Sequence, residues 1–362
     1  MKSLKVDIKQ ANIKYEILFS SDILVSIKEN IKDYEKKRFL FVVDSKVYSL
    51  YKDSLDKKIA LLGWGILILP NWERNKNMKS VWKIIDALMD LSFTRKDFVV
   101  SIWGWVIWDI SAFACSLFKR WINFIQVPTT LLSMCDSSVW GKTGVDYMQV
   151  KNWIGTFYNP SLVLVDIRFL ETLAKKELMW WYFEGLKHAI MLWKKDFWEY
   201  KEAYDKIVSK NLDKNIEKII AKNIKCKLDV VKSDPTENTW KRRVLNYWHT
   251  FGHALETYLN FKLGHGLCVA FWIIFANLLS HKLWFLSKNE YEEIDKFIKS
   301  KIKNIKLGDL DFEEIYKYMQ NDKKNENSAV NFILLKDFWE VFEYKATKEE
   351  LKNNFLLFVK GL

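Results

Sequence analysis

An alternation of strand-like and helix-like segments constrains this chain more than any other feature. Five short apolar runs, "RFLFVVD" (38–44), "ILILP" (66–70), "DFVVSI" (97–102), "NFIQVP" (123–128) and "LVLVD" (162–166), are separated by helix-periodic stretches such as 78–91. Short continuous apolar runs suit strands buried on both faces. Strands alternating with helices build a mainly parallel sheet covered by helices, with ligands bound beyond the carboxyl ends of the strands. Past Asp166 the strand signal fades. Helical patterns cover 171–195, 198–233, 241–260, 265–285, 289–303 and 311–320, followed by a strand pair near 330–344. The expectation is an α/β N-terminal domain over 1–167, Rossmann-like with a mainly parallel sheet. An all-α C-terminal domain over 168–362 follows it. The cleft between two such domains is the default place for an active site.

Charge and cysteine usage narrow the function. The formal charge is +12, mostly lysine spread along helical segments. That is a solvated surface that also attracts anionic substrates. No finger, RNP or basic-zipper pattern is present, which argues against nucleic-acid binding. Cys115, Cys135, Cys226 and Cys268 form no CxxC pair and read as reduced thiols of a cytoplasmic protein. The apolar run "LCVAFWIIFANLL" is short for a membrane span and suits a buried helix.

Histidines mark the chemistry. Of five, His249, His253 and His265 fall together in "NYWHTFGHALETYLNFKLGHG". His249 and His253 share a helix face, and a third ligand from the following turn would complete a divalent-metal site. The alternative is a set of core or capping histidines. In "YFEGLKHAI", Glu184 and Lys187 are helix neighbours. They make either a salt bridge or a carboxylate ligand beside an anion-binding lysine. "CDSSVWGKTGVD" (135–146) looks like the end of a P-loop, but Asp136 stands where the first glycine is needed. Asp44, Glu73, Lys76, Thr129 and Thr130 all follow strand ends, where a nucleotide would lie.

Nine segments in order carry a resemblance: "LPNWERNK", "SIWGWVIWD", "FKRWINFIQVPTTLLSMCDSSVWGKTGV", "KNWIGTFYNP", "FLETL", "FEGLKH", "RRVLNYWHTFGHALE", "GHGLCVAFWI" and "NDKK". Together they resemble the 3-dehydroquinate synthases, within the sugar-phosphate cyclase and polyol dehydrogenase superfamily. The resemblance implies conversion of 3-deoxy-D-arabino-heptulosonate 7-phosphate to 3-dehydroquinate and phosphate. The implied steps are transient hydride transfer to bound NAD, phosphate elimination, return of the hydride and aldol closure. It also implies a zinc or cobalt ion and a homodimer. Other sugar phosphates, or a polyol oxidised without phosphate, are the alternatives within the superfamily. A non-catalytic relative is the alternative outside it.

Matched position by position, the resemblance implies metal ligands at Glu184, His249 and His265. His253 would move a proton or touch phosphate. Lys142, Lys187, Lys227, Arg242, Asn246 and one of Lys323 or Lys324 would bind substrate, with Arg120, Asp136 and Asn152 completing the shell. NAD would lie on Asp44, Glu73, Lys76, Gly104, Trp105, Val106, Asp109, Thr129, Thr130, Lys151 and the run Phe169, Leu170, Glu171 and Thr172. The chain departs from many members at Leu267, where His-Gly-Glu is common.

Tryptophan is the anomaly. An ordinary glycine share of roughly 7% would give about 25 glycines, whereas the chain has 12 with 18 tryptophans. Trp72, Trp103, Trp105, Trp108, Trp121, Trp140, Trp181, Trp240, Trp248 and Trp272 stand where the family pattern has glycine. The expectation is a gene whose UGA codons specify glycine but are read here as tryptophan.

Overall fold

The computed structural model describes residues 14–61, 65–104, 106–139, 141–148, 150–191, 194–234, 249–260, 262–320, 330–338 and 340–362. Two compact units result: residues up to 129 with 140–167, and 130–139 with 168–362.

The first unit is a six-stranded sheet in the order β1-β8-β5-β4-β2-β3 with every described pairing parallel. Its elements are β1 (Glu16–Phe19), α1 (Ile23–Asn30), β2 (Phe39–Asp44), α2 (Ser45–Leu61), β3 (Gly65–Leu69), α3 (Met78–Asp90), β4 (Phe98–Trp103), α4 (Ile107–Leu117), β5 (Asn123–Pro128) and β8 (Leu162–Val165). β2 and β4 are buried at every position, as their unbroken apolar sequences require. From β2 the chain runs outward to β3, then returns to place β4 on the other side of β2. The loops leaving β2 and β4 therefore diverge and open a crevice at their carboxyl ends, the location favoured for nucleotides in such sheets. An antiparallel hairpin, β6 (Lys142–Tyr147) with β7 (Val150–Phe157), completes the unit. The hairpin does not stand out as a strand pair in the sequence: β7 is mostly exposed, and β6 begins in a Gly-Lys-Thr-Gly stretch that reads as loop.

The second unit contains α5 (Leu131–Cys135), α6 (Lys175–Met191), α7 (Lys194–Ser209), α8 (Lys214–Ser233), α9 (His249–Tyr258), α10 (His265–Lys282), α11 (Lys288–Ile302), α12 (Phe312–Gln320) and α13 (Lys348–Gly361). One hairpin, β9 (Val330–Asp337) with β10 (Glu340–Ala346), falls where a strand pair was expected. The single helix expected over 198–233 is two. Lys210 takes a left-handed φ of 64°, and the Asp213 carboxylate then caps α8 by accepting from Asn215 N and Ile216 N. α10 is buried on all sides, which explains a sequence apolar all round. It packs against α6, α9, α11 and α13. Gly185 lets α7 approach α6: a Cβ there would stand 1.9 Å from the Tyr200 hydroxyl, which donates to the Tyr182 carbonyl. No described helix is long and apolar enough to cross a membrane.

Several tryptophans fit their surroundings poorly. Trp103 and Trp108 stack at 5.6 Å inside the core beneath the β4–α4 turn. Among the described residues, the buried indole N–H groups of Trp103 and Trp272 have no hydrogen-bond partner. Buried tryptophan N–H groups normally find one, and each left unmade costs about 1–3 kcal/mol. Trp284 follows α10 at φ 66° with 91% of its surface exposed. Its N–H bonds the His281 carbonyl and the next N–H reaches back to Ser280, the capping turn in which glycine is favoured.

Candidate active site

The first unit gathers a polar network near the β2–β4 crevice. β4 ends at Trp103, Gly104 follows, and Val106 opens α4, whose first-turn N–H groups suit an anion. The Trp103 carbonyl accepts from both the N–H and the hydroxyl of Thr129, each at 2.9 Å, which pins the β5 end to the turn. Asp44, at the end of β2, caps α2 by accepting from Lys46 N at 2.8 Å and Val47 N at 3.2 Å. Burial raises its carboxyl above the ordinary range despite those bonds.

Lys76 is buried and its ammonium contacts both Asp109 on α4 and the Asn152 side-chain carbonyl. Burial pushes the Asp109 carboxyl up to about 6, with Lys76 opposing. Asn152, at a left-handed φ of 54°, is held by its N–H on Asp146 at 2.8 Å, and Lys151 lies 3.6 Å from Glu73. The structure thus joins Asn152, expected beside substrate, to Lys76 and Asp109, expected beside NAD. Lys142 starts β6. Arg120 lies apart from this network. It follows α4, at the amino edge of the sheet, in a basic cluster with Arg95, Lys96 and Lys119.

The second unit holds the metal-type residues. α6 carries Glu184 and Lys187, both almost fully buried, with the Lys187 ammonium 2.9 Å from Glu184 Oε2. His265 opens α10, and its Nε2 lies 3.0 Å from Glu184 Oε1. Its Nδ1 lies 3.0 Å from Glu256 Oε2, on α9. Burial works to lower the His265 pKa, but the bonds to Glu184 and Glu256 outweigh it and push it up to about 9. Donor atoms of His253, Glu256 and His265 lie within 4.8 Å of one another. A buried carboxylate and a partly exposed imidazole brought together, with a second carboxylate behind the imidazole, form an N/O donor set suited to zinc or cobalt. The backbone of α9 starts at His249, whose side chain lies outside the described residues, as do Trp105, Arg242, Asn246, Lys323 and Lys324.

Glu256 is the residue the sequence reading passed over. It lies three positions after His253, close enough to share its helix face. A glutamate on a helix is ordinarily a solvated group, so nothing but that spacing marked it.

Asp136 ends α5, and its Oδ1 receives the fully buried Lys227 ammonium from α8. Burial alone would raise its carboxyl, but Lys227, then Lys187, bring it below the usual range. Thr130 caps α5 in a reciprocal box with Ser133. Phe169 and Leu170 are buried in a short 3-10 turn, where the Thr172 hydroxyl bonds the Phe169 carbonyl and the Glu171 carbonyl accepts from Lys210.

His188, one turn beyond Glu184, is completely buried and its two ring nitrogens make no hydrogen bond. Burial first, and Lys187 second, push its pKa down to about 3. The unfolded chain protonates it near 6.5, so the folded state loses stability as pH falls below that value. At pH 5 the loss from this residue is about 2 kcal/mol. Urea unfolding at pH 7 and pH 5 is expected to show that loss in the unaltered protein and its absence in His188→Gln; equal acid losses in the two would contradict it.

Comparison with known proteins gives the family of the chain. The family model for the 3-dehydroquinate synthase N-terminal region matches residues 66–180, and that for the C-terminal region matches 182–325. The 3-dehydroquinate synthase of Clostridium acetobutylicum is 32% identical over 354 residues, covering 97% of this chain and 98% of that protein. That of Pelagibacter ubique is 36% identical, covering 93% of each. Among solved structures, 2-epi-5-epi-valiolone synthase from Streptomyces hygroscopicus subsp. jinggangensis 5008, with NAD+ and Zn2+ bound, superposes with a TM-score of 0.85 at 22% identity over 99% of both chains. A 2-deoxy-scyllo-inosose synthase complexed with carbaglucose-6-phosphate, NAD+ and Co2+ gives 0.81 at 22% identity, covering 96% of this chain and 97% of that one. An iron-containing alcohol dehydrogenase from Thermotoga maritima gives 0.59 at 18% identity, covering 98% of this chain and all of that one. With these matches over 66–180 and 182–325 and over nearly its whole length, the chain belongs to the 3-dehydroquinate synthase family.

Proposed function

We propose that the protein converts 3-deoxy-D-arabino-heptulosonate 7-phosphate to 3-dehydroquinate and phosphate, using NAD and a divalent metal. The observation that carries this reading is the meeting of buried Glu184 and Lys187 with the partly exposed His265, with Glu256 behind His265. A bound metal polarises substrate hydroxyl oxygens and eases their loss of a proton. NAD, when bound, would supply a reversible hydride acceptor for a substrate alcohol, whose carbonyl form has a more acidic neighbouring C–H.

The chain's own groups do the remainder. Glu184, His265 and His249 hold the metal, and Glu256 keeps the His265 ring turned with Nε2 toward Glu184. Lys187, Lys227 and Lys142, with Arg242, Asn246 and one of Lys323 or Lys324, bind the carboxylate and phosphate of the substrate. Asp136, tied to Lys227, accepts from a substrate hydroxyl. His253, the exposed member of its cluster, is the group available to move a proton. In the first unit, the α4 N-terminus and the backbone at Gly104 suit a pyrophosphate, while Asp44 stands at the strand end where ribose hydroxyls are read. The free, buried cysteines suit a reducing cytoplasm, and the working form is a homodimer.

Metal removal tests the reading. Treating the protein with a chelator and then removing the chelator is expected to abolish phosphate release. Added zinc or cobalt should restore it and magnesium should not, since hard, octahedral magnesium suits this nitrogen-containing site poorly. Undiminished phosphate release by metal-free protein would overturn it.

A further inference from the structure

The proposed mechanism gives no task to a buried histidine. His188 shares a face of α6 with Glu184 and Lys187, yet it is neither a ligand nor exposed to substrate. Both its ring nitrogens are buried without a hydrogen bond. Each such group costs stability, and an aliphatic side chain of similar size would avoid the cost. Asp136 faces it: Oδ1 lies 3.7 Å from His188 Nε2 and also receives Lys227. That gap is a few tenths of an ångström beyond a hydrogen bond, and catalytic hydrogen bonds commonly tighten when substrate binds.

We propose that His188 is a positioning residue. Its Nε2–H closes onto Asp136 Oδ1 when substrate binds and, with Lys227 on the same oxygen, fixes the plane of the carboxylate that meets the substrate. The proposal rests on the functional reading above. Lys227 donates to Asp136 from one direction, and one donor restricts rotation about the Cβ–Cγ bond less than two do. A second donor to the same oxygen narrows that rotation. The cost in folding stability is retained because an aliphatic residue could not donate.

The test uses full-length protein loaded with NAD and metal. His188→Leu is expected to be at least as stable to urea as the unaltered protein. Its kcat/KM should fall about 10- to 100-fold, the range for losing one hydrogen bond to a charged group. The fall should lie mainly in KM for the sugar phosphate, with the Kd for NAD unchanged. His188→Gln, whose amide nitrogen can stand where Nε2 stands, should recover most of the loss. His188→Asn, whose nitrogen stands nearer Nδ1, should not, and this pair decides the matter if the Leu variant fails to fold. Independently of turnover, 15N NMR of histidine-labelled protein should show His188 protonated at Nε2. Leu kinetics equal to those of the unaltered protein, equal behaviour of Gln and Asn, or a bare Nε2 would each overturn the inference. Failure of the unaltered protein to release phosphate would instead count against the functional reading, with the NMR result standing apart.

Discussion

Replacing Lys227 with methionine is expected to cost about 3–5 kcal/mol of stability, because it leaves Asp136 as a charge with its buried partner removed. The ammonium is fully enclosed and the carboxylate nearly so, so little water is available to take over the solvation. The sign of the pH dependence follows. With Lys227 present, the Asp136 carboxyl sits below its ordinary range, so the pair contributes stability above the unfolded value near 3.9 that is lost as pH falls. Without Lys227, burial becomes the larger influence and the carboxyl rises, so the variant should regain stability on mild acidification. Adding Asp136→Asn should restore most of the stability at pH 7 by removing the orphaned charge. It should not restore activity, since both groups are assigned to substrate. Urea midpoints of the unaltered protein, both single variants and the double variant measure all of this. A Lys227→Met variant as stable as the unaltered protein would show that the pair carries no such coupling.

The second large effect concerns the tryptophans. We propose that the protein made in its own cell has glycine at 72, 103, 105, 108, 121, 140, 181, 240, 248 and 272, and that Trp284, held at φ 66°, belongs with them. A chain with glycine at all these positions should be more stable than the tryptophan chain and bind NAD far more tightly. Overpacked sites cost about 1–3 kcal/mol each, and a left-handed non-glycine residue about 1–2 kcal/mol. The sign of the effect decides the question. If Trp103 and Trp272 were evolved core residues, their removal would open cavities costing about 3–5 kcal/mol each and the glycine chain would not fold. Peptide masses spanning residues 101–110 of the native protein give the same answer directly.

The parallel sheet was legible because its central strands are buried on both faces and leave unbroken apolar runs, as at Phe39–Asp44 and Phe98–Trp103. What escaped reading lacked such a signature. β1 is four residues, an exposed Glu16 and three half-buried ones, and β6–β7 is a hairpin that begins at a polar motif and has a mostly exposed second strand. The α7–α8 break occurs at Lys210 without glycine or proline to announce it. At the candidate site, Glu184 and His265 stood out in the sequence because few residue types hold metals and the histidines cluster, and the structure brings their side chains together. Glu256 and His188 did not stand out, because their meaning lies in what they face: Nδ1 of His265 for one, Oδ1 of Asp136 for the other. Facing across helices is set by tertiary packing, which local spacing does not encode.

The most direct test of the central claim is stoichiometry. Protein carrying bound NAD and metal is given the heptulosonate phosphate, and phosphate, 3-dehydroquinate and NADH are followed together. The account predicts equimolar phosphate and dehydroquinate over many turnovers, with no net NADH. NADH rising in step with substrate consumption, or substrate oxidised without release of phosphate, would contradict it.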